Sequence, residues 1–215
     1  MKPMNRAGLA LVLALACCLP AMAAAAPDKA EKVASGMLKF DDVLTEGTTR
    51  ISGVLATMNS LSTATGSDLV SKYKTFTKQV NELDATAKKA KARSEDATSQ
   101  REEYLEQWQE SQGQIQNEEL KAASAARRAE LMPKIEGIKE ALTAASQGFE
   151  PFMQDLKDLT IFLGNDLSTT GIAAASELMA KCTEGGAKVN ADIERGSAGV
   201  KDLAASISPT PAAKK

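Results

Sequence analysis

The chain has 215 residues and a nearly balanced charge, with 26 basic and 28 acidic side chains giving a formal net charge of -2. This balance excludes the basic surface of a general nucleic-acid-binding protein, and the lack of any histidine excludes His-based metal sites, Ser-His catalysis and Cys-His catalysis. Aromatic residues make up only 4% of the chain, which disfavours a β-sandwich or a β-barrel.

Residues 1–23 have the pattern of a secretory signal peptide. Lys2 and Arg6 precede an apolar stretch at residues 7–19, which is too short to cross a bilayer comfortably. The small residues at Ala21 and Ala23 match the cleavage site of signal peptidase I. We therefore expect cleavage after Ala23 and export to the periplasm.

A lipoprotein reading of the same segment stays open. Residues 13–17 read Leu-Ala-Leu-Ala-Cys, which resembles a lipobox and would make Cys17 the lipidated first residue of an outer-membrane lipoprotein. Only in that case do we expect the protein to be attached to a membrane. Simple cleavage instead leaves Cys182 as a single cysteine, which cannot form an internal disulfide.

Residues 28–207 are predicted to form one helical domain, followed by a disordered tail at residues 208–215. The predicted helices cover about residues 30–62, 68–112, 118–163 and 168–207. In each helix, apolar or small residues recur in steps of three and four, the heptad spacing of helices that pack side by side. In the first helix these positions are Val33, Met37, Phe40, Leu44, Ile51, Val54, Met58 and Leu61.

Four heptad segments with short connections predict an all-α fold, an elongated antiparallel up-down four-helix bundle. Ser67 or Asp68 is expected to cap the second helix, and Ser168 the fourth. Pro133 and Pro151 fall inside the third helix and are expected to kink it or interrupt one turn.

The second and third helices are longer than the other two, so their hairpin is predicted to project past its neighbours. The predicted projection covers residues 97–125, and its candidate interaction residues are Tyr104, Trp108, Ile115 and Leu120. Trp108 has two possible roles. It either packs against Leu120 to hold the arms together or serves as an aromatic anchor for a partner.

The remaining charged residues and the lone cysteine predict no catalytic residue, no metal site and no cofactor. The carboxylates near the tip are expected to face basic residues of the other arm across the hairpin, and a basic run on the second helix is expected to be a solvated face. These are Glu102, Glu103, Glu106 and Glu110 opposite Lys121, Arg127 and Arg128, and the run Lys88, Lys89, Lys91 and Arg93. Cys182 lies on the heptad stripe and is expected to be a small buried side chain.

Two segments resemble a bacterial family, the domain-of-unknown-function 2959 family. The first match is at Leu105, Trp108, Ile115, Asn117, Leu120 and Ser124, and the second is at residues 149–152, Asp158, residues 161–163, Leu167 and Ile172. The chain departs from the family pattern at residues 164–168, where the usual Lys and His are missing. The resemblance implies an exported or lipoprotein helical protein without an established activity.

These observations favour a non-enzymatic cell-envelope protein that binds another protein, or a second copy of itself, through the hairpin tip. No nucleic-acid partner is expected. The alternative is a lipid-tethered protein lying at a membrane surface through Cys17. A third and weaker hypothesis is an envelope hydrolase that uses paired carboxylates alone.

Overall fold

The computed structural model describes the backbone of residues 25–208 and the side chains of residues 28–208. The predicted signal peptide, Cys17 and residues 209–215 of the predicted tail lie outside these described residues. Within them the chain forms five helices and no strand: α1 (Ala25–Leu61), α2 (Gly66–Gly113), α3 (Glu118–Asn165), α4 (Thr169–Ala174) and α5 (Ser176–Ile207).

The helices pack as an antiparallel bundle. α1 lies between α2 and α5, and α5 lies between α1 and α3. The contact between α2 and α3, which would close the ring, is much less extensive than the other three. The prediction of an all-α helical bundle is confirmed, with one side of the bundle less tightly closed than the others.

The predicted fourth helix is divided at Ala175 into α4 and α5. The chain direction is nearly maintained, because the Ala175 N–H donates to Gly171 O (3.0 Å) and the Met179 N–H donates to Ala175 O (2.9 Å). A side chain at Gly171 would overlap the backbone carbonyl oxygen of Asp166. Glycine at this position therefore lets the short loop after α3 fold tightly against α4.

The helix starts agree only partly with the predicted caps. Ser168 caps α4 as predicted, with its Oγ accepting from the Gly171 N–H (3.0 Å). The prediction for α2 is wrong, because its N-cap is Thr65, which makes no side-chain capping bond. Gly66 starts this helix with a φ of +56°, a backbone conformation that favours glycine.

The two prolines of α3 do not interrupt the helix. α3 runs continuously from Glu118 to Asn165 with Pro133 and Pro151 inside it, so an interrupted turn is not observed. Each proline lacks the N–H that would complete one intrahelical hydrogen bond, which removes a bond without ending the helix.

The core has two parts along the bundle. We call the part nearer the α1–α2 and α3–α4 loops the loop-end core, and every long helix supplies fully buried side chains to it. α2 contributes Leu69, Phe76, Val80 and Leu83, which meet residues such as Leu156 of α3. Burial of such side chains contributes roughly 1.5–3 kcal/mol each, so this part fixes the pairing of the four helices.

The second part, the tip-end core, lies nearer the α2–α3 hairpin and has a different composition. Its buried residues come from α1, α3 and α5: Val33, Ala34, Met37, Phe40, Leu44, Leu131, Ile135, Ile138, Val200, Leu203, Ala204 and Ile207. α2 adds only partly buried side chains here, at Ala97, Tyr104, Leu105 and Trp108. No residue of α2 after Thr86 is buried.

A buried polar cluster joins α1 to α5 in the middle of the bundle. Asp41 on α1 is only 5% exposed and accepts a short hydrogen bond from Ser197 Oγ on α5. Its other carboxylate oxygen lies 3.2 Å from Lys201 Nζ. A buried carboxylate needs such partners, so this cluster fixes the register of the two helices.

Replacing the Asp41 carboxylate should therefore destabilise the bundle. We expect Asp41→Ala to lower the free energy of unfolding by about 2 kcal/mol, because it removes the hydrogen bond from Ser197 and the ion pair with Lys201. The neighbouring Asp42 is exposed, and Asp42→Ala should change the same quantity by less than about 0.5 kcal/mol. Urea unfolding followed by circular dichroism measures both, and equal effects would contradict this role for Asp41.

Near Thr86, where the buried face of α2 ends, a network of charged side chains holds α2 to α1. Glu46 on α1 accepts from Lys89 Nζ of α2 (2.9 Å) and from Arg50 Nε (3.1 Å), and Arg50 also bonds Glu82 of α2 (2.8 Å). The hydrogen bonds from Lys89 and then from Arg50 hold the pKa of Glu46 below its ordinary value of 4.5.

This lowered pKa predicts a pH dependence of stability. A carboxyl group with a lowered pKa in the folded state stabilises that state above its ordinary pKa, and the contribution is lost as the pH falls through the lowered value. We expect Glu46→Gln to lower the melting temperature at neutral pH, and the difference from the unmodified protein to shrink below about pH 4.5. Glu140→Gln, at an exposed position on α3, is the matched control. A Glu46→Gln difference that stays constant with pH would contradict the prediction.

Candidate functional site

The projecting part of the α2–α3 hairpin is shorter than predicted. Lys29 Nζ near the start of α1 donates to Gln107 of α2 (2.6 Å), and Arg127 of α3 donates to the Ser206 carbonyl near the end of α5 (2.8 Å). α1 begins at Ala25, and because Lys29 lies beside Gln107, α1 reaches farther along α2 than its predicted register allowed. The prediction that residues 97–125 lie outside the bundle is therefore wrong for residues 97–107, which run alongside the other helices.

Tyr104 and Trp108, two of the four candidate tip residues, are partly buried against the tip-end core. Their rings meet edge to face, with centroids 5.8 Å apart. Burial raises the pKa of Tyr104, and the nearby charge of Arg127 opposes this to a smaller degree. The Trp108 indole Nε1–H donates to Ser124 Oγ on α3 (2.8 Å). The structure thus places Trp108 as a link between the two arms, through Ser124.

Ile115 and Leu120, the other two candidates, lie at the end of the hairpin. Ile115 is half-buried in the connection between the helices, and 62% of Leu120 is exposed. Asn117 caps α3 by accepting from the Leu120 N–H (3.0 Å). This capped first turn presents the Leu120 side chain to solvent at the point farthest from the loop-end core.

Polar bonds, rather than ion pairs, join the two arms of the tip. Besides the Trp108–Ser124 bond, Gln112 Nε2 donates to the Lys121 carbonyl (3.2 Å) and Arg128 donates to Gln109 Oε1 (3.1 Å). The predicted ion pairs across the hairpin are not formed. Lys121 and Arg127 pair instead with carboxylates of α3 itself, Lys121 with Glu118 and Arg127 with Glu130.

The basic run on α2 is a solvated face, as predicted. All four of its side chains are exposed, and three of them form ion pairs. Lys88 lies 2.7 Å from Asp84, Lys89 pairs with Glu46, and Arg93 lies 3.6 Å from Asp96. These pairs leave little uncompensated positive charge on this face.

A groove between α2 and α3 was not predicted from the sequence. It has a volume of about 600 Å³ and lies where α2 no longer supplies buried residues. Its apolar floor consists of Met37, Phe40, Ile135, Ile138, Leu142 and Val200. Arg101 and Thr98 of α2 form one wall, and Lys139 and Thr143 of α3 form the other. The only sequence sign of this groove is the run of small and polar residues on the heptad stripe of α2 after Leu83.

Cys182, the one cysteine in the described part of the chain, lies in the loop-end core. It is 1% exposed, and burial, followed by the negative charge of Asp155, raises the pKa of its thiol to about 11. The thiol is therefore protonated at neutral pH. Among residues 28–208 no group of His, Cys, Asp and Glu side chains is arranged to hold a metal ion, and no helix is suited by length and hydropathy to cross a membrane.

The Trp108–Ser124 bond should control the stability of the tip. Trp108→Phe keeps an aromatic ring but removes the donor, so we expect amide exchange at residues 109–124 to accelerate about fivefold. Exchange at residues 69–83 should stay unchanged, because those residues belong to the loop-end core. Ser124→Ala should act in the same direction, whereas Ser111→Ala should not, because the Ser111 hydroxyl bonds only to its own helix. Unchanged exchange at the tip in both Trp108→Phe and Ser124→Ala would contradict this role.

Comparison with known proteins identifies the family and gives no closer relative. Neither the curated proteins nor the solved structures contain a match to this chain. A family model described as "Protein of unknown function (DUF2959)" matches residues 21–207, which include nearly all of the helical domain. The resemblance noted from the sequence is thereby confirmed, and the chain belongs to the DUF2959 family.

Proposed function

We propose that this protein is a non-catalytic, exported protein of the cell envelope that binds another protein through the tip of its α2–α3 hairpin. The observation that supports the proposal best is the exposure of Leu120, which is 62% accessible at the far end of the hairpin. A large apolar side chain exposed in a capped turn is the kind of residue that anchors a protein interface.

The construction of the tip supports the same proposal. Beyond Gln107 and Arg127 the arms are held by a few side-chain hydrogen bonds, and Trp108 fixes their spacing through Ser124. A hairpin that needs no neighbouring helix to cover it can present its end to a partner. In this arrangement Ile115 and Leu120 form the contact, while Tyr104 and Trp108 support it from below.

The lipid-tethered alternative concerns the N-terminal segment rather than the described fold. Lipidation of Cys17 would place the protein at the outer membrane, whereas cleavage after Ala23 would release it into the periplasm. The intact mass of the protein purified from its native cell distinguishes the two, because only lipidation adds a diacylglyceryl group. The hydrolase alternative has less support. Glu46 and Glu82 are two carboxylates that both contact Arg50, and the pKa of Glu46 is lowered. A carboxyl group that acts as a general acid needs a raised pKa.

Site-specific photo-crosslinking in the native cell tests tip binding. A photoreactive amino acid replaces the exposed Gln116. Leu120→Glu and Ile161→Glu are then introduced separately into the protein that carries this photoreactive residue. Ile161 is a matched control, because it is 65% exposed and lies at the opposite end of α3. We expect a discrete crosslinked product that falls about tenfold in Leu120→Glu and is retained in Ile161→Glu.

Two results would contradict tip binding. One is the absence of any crosslinked product from position 116, and the other is an equal loss in both variants at unchanged protein level. The mass of the product also identifies the partner. Twice the mass of the chain would assign the contact to a second copy, and any other mass to a different protein.

A further inference from the structure

The groove between α2 and α3 lies between two places where side chains bond these helices to each other. Toward the tip, Trp108 and Arg128 link the two helices, and toward the loops Asp84 bonds Lys157 Nζ (2.9 Å). The α3 residues of the groove run from Ile135 to Gln147, a length of about 18 Å along the helix axis. A slender ligand that lies along the helix axes would fit this length without breaking either link.

Arg101 is the most deeply placed charge of the groove. Its side chain is 20% exposed, and its Nε atom is buried without a hydrogen-bond partner. Arg101 Nη2 lies 3.5 Å from Glu102, whose side chain is 69% exposed and therefore screened by water. Lys139 and Glu136, on the opposite wall, are exposed and bond each other (3.2 Å). Among the described residues the Arg101 side chain therefore donates no hydrogen bond, and its guanidinium lines a groove with an apolar floor.

We propose that this groove binds a long-chain fatty acid, with the carboxylate on Arg101 and the acyl chain along the apolar floor. A carboxylate would supply the acceptor that the Arg101 guanidinium lacks, because arginine is suited to hydrogen bonds with a carboxylate. The groove volume of about 600 Å³ lies in the usual range for small-molecule sites, and its length fits an extended acyl chain.

The position of Arg101 near one end of the groove determines which way round the fatty acid would lie. Arg101 faces the α3 segment around Ile135 and Glu136, at the end nearer the tip, because the two helices are antiparallel. The chain then extends past Ile138 and Leu142 toward Gln147. A ligand with the acyl chain but no carboxylate would leave Arg101 unsatisfied, so oleate should bind more tightly than oleyl alcohol. This site goes beyond the proposed tip function and does not depend on it.

Titration of the purified, delipidated protein with oleate, kept below its micelle concentration, tests the proposal. We expect saturable one-to-one binding by calorimetry, and a loss of affinity of about tenfold or more in Arg101→Gln. Arg93→Gln is the matched control, because Arg93 lies on the same helix, is exposed and lies outside the groove. It should bind oleate as the unmodified protein does.

A second variant tests the groove without changing its charge. Ala97→Leu adds apolar volume to a half-buried wall position, so it should fold normally and block the acyl chain. Circular dichroism checks the folding of each variant. The proposal is overturned if the unmodified protein does not bind oleate, if oleyl alcohol binds as tightly, or if either folded variant, Arg101→Gln or Ala97→Leu, retains full affinity.

Discussion

The end of the buried face of α2 at Thr86 is the constraint on which the rest of the structure depends. Before this residue, Leu69, Phe76, Val80 and Leu83 supply large side chains to a core shared by all the long helices. After it, and as far as Arg101, the same heptad stripe carries alanine, serine and arginine, which remove little apolar surface from water. α2 continues as a helix for a further 27 residues to Gly113, but without the packing that would draw it against α3. The groove and the polar construction of the tip both follow from this change.

The bundle compensates by building the tip-end core without a fully buried contribution from α2. α1, α3 and α5 bury their own apolar stripes against one another, and Asp41 joins α1 to α5 through Ser197 and Lys201. The second half of α2 is then held from the side, by the Glu46 network and by half-buried aromatic residues. Segments with few buried apolar contacts open at the lowest free-energy cost. Both surfaces proposed for binding therefore lie in the part of the fold with the greatest freedom to adjust.

The heptad spacing was sufficient to predict the elements and the class of fold, because the step of three and four residues marks the buried stripe of each helix directly. It did not specify the relative positions of the helices. The predicted projection began at residue 97 of α2, but Lys29 near the start of α1 bonds Gln107, so α1 reaches about 15 Å farther along α2 than its predicted register allowed. The indole partner was also missed, because the choice of Ser124 over Leu120 depends on the rotation of α3 about its axis. The groove was not predicted. The small and polar residues on the stripe of α2 indicate weak packing, but they do not show which neighbouring helix α2 packs against loosely.

The start of α1 lies close to the hairpin, so a segment that precedes α1 would also begin there. α1 begins and α5 ends beside the hairpin, as the Lys29–Gln107 and Arg127–Ser206 bonds establish. The stretch from Cys17 to Ala25 spans less than about 30 Å even when fully extended. A lipid anchor at Cys17 would therefore hold the hairpin, and not the loop end, next to the membrane, and a partner of Leu120 would have to lie at that surface. Cleavage after Ala23 removes this restriction and leaves both ends of the bundle free. The groove beside Arg101 lies on the flank of the bundle, and neither form of processing would remove any residue that lines it.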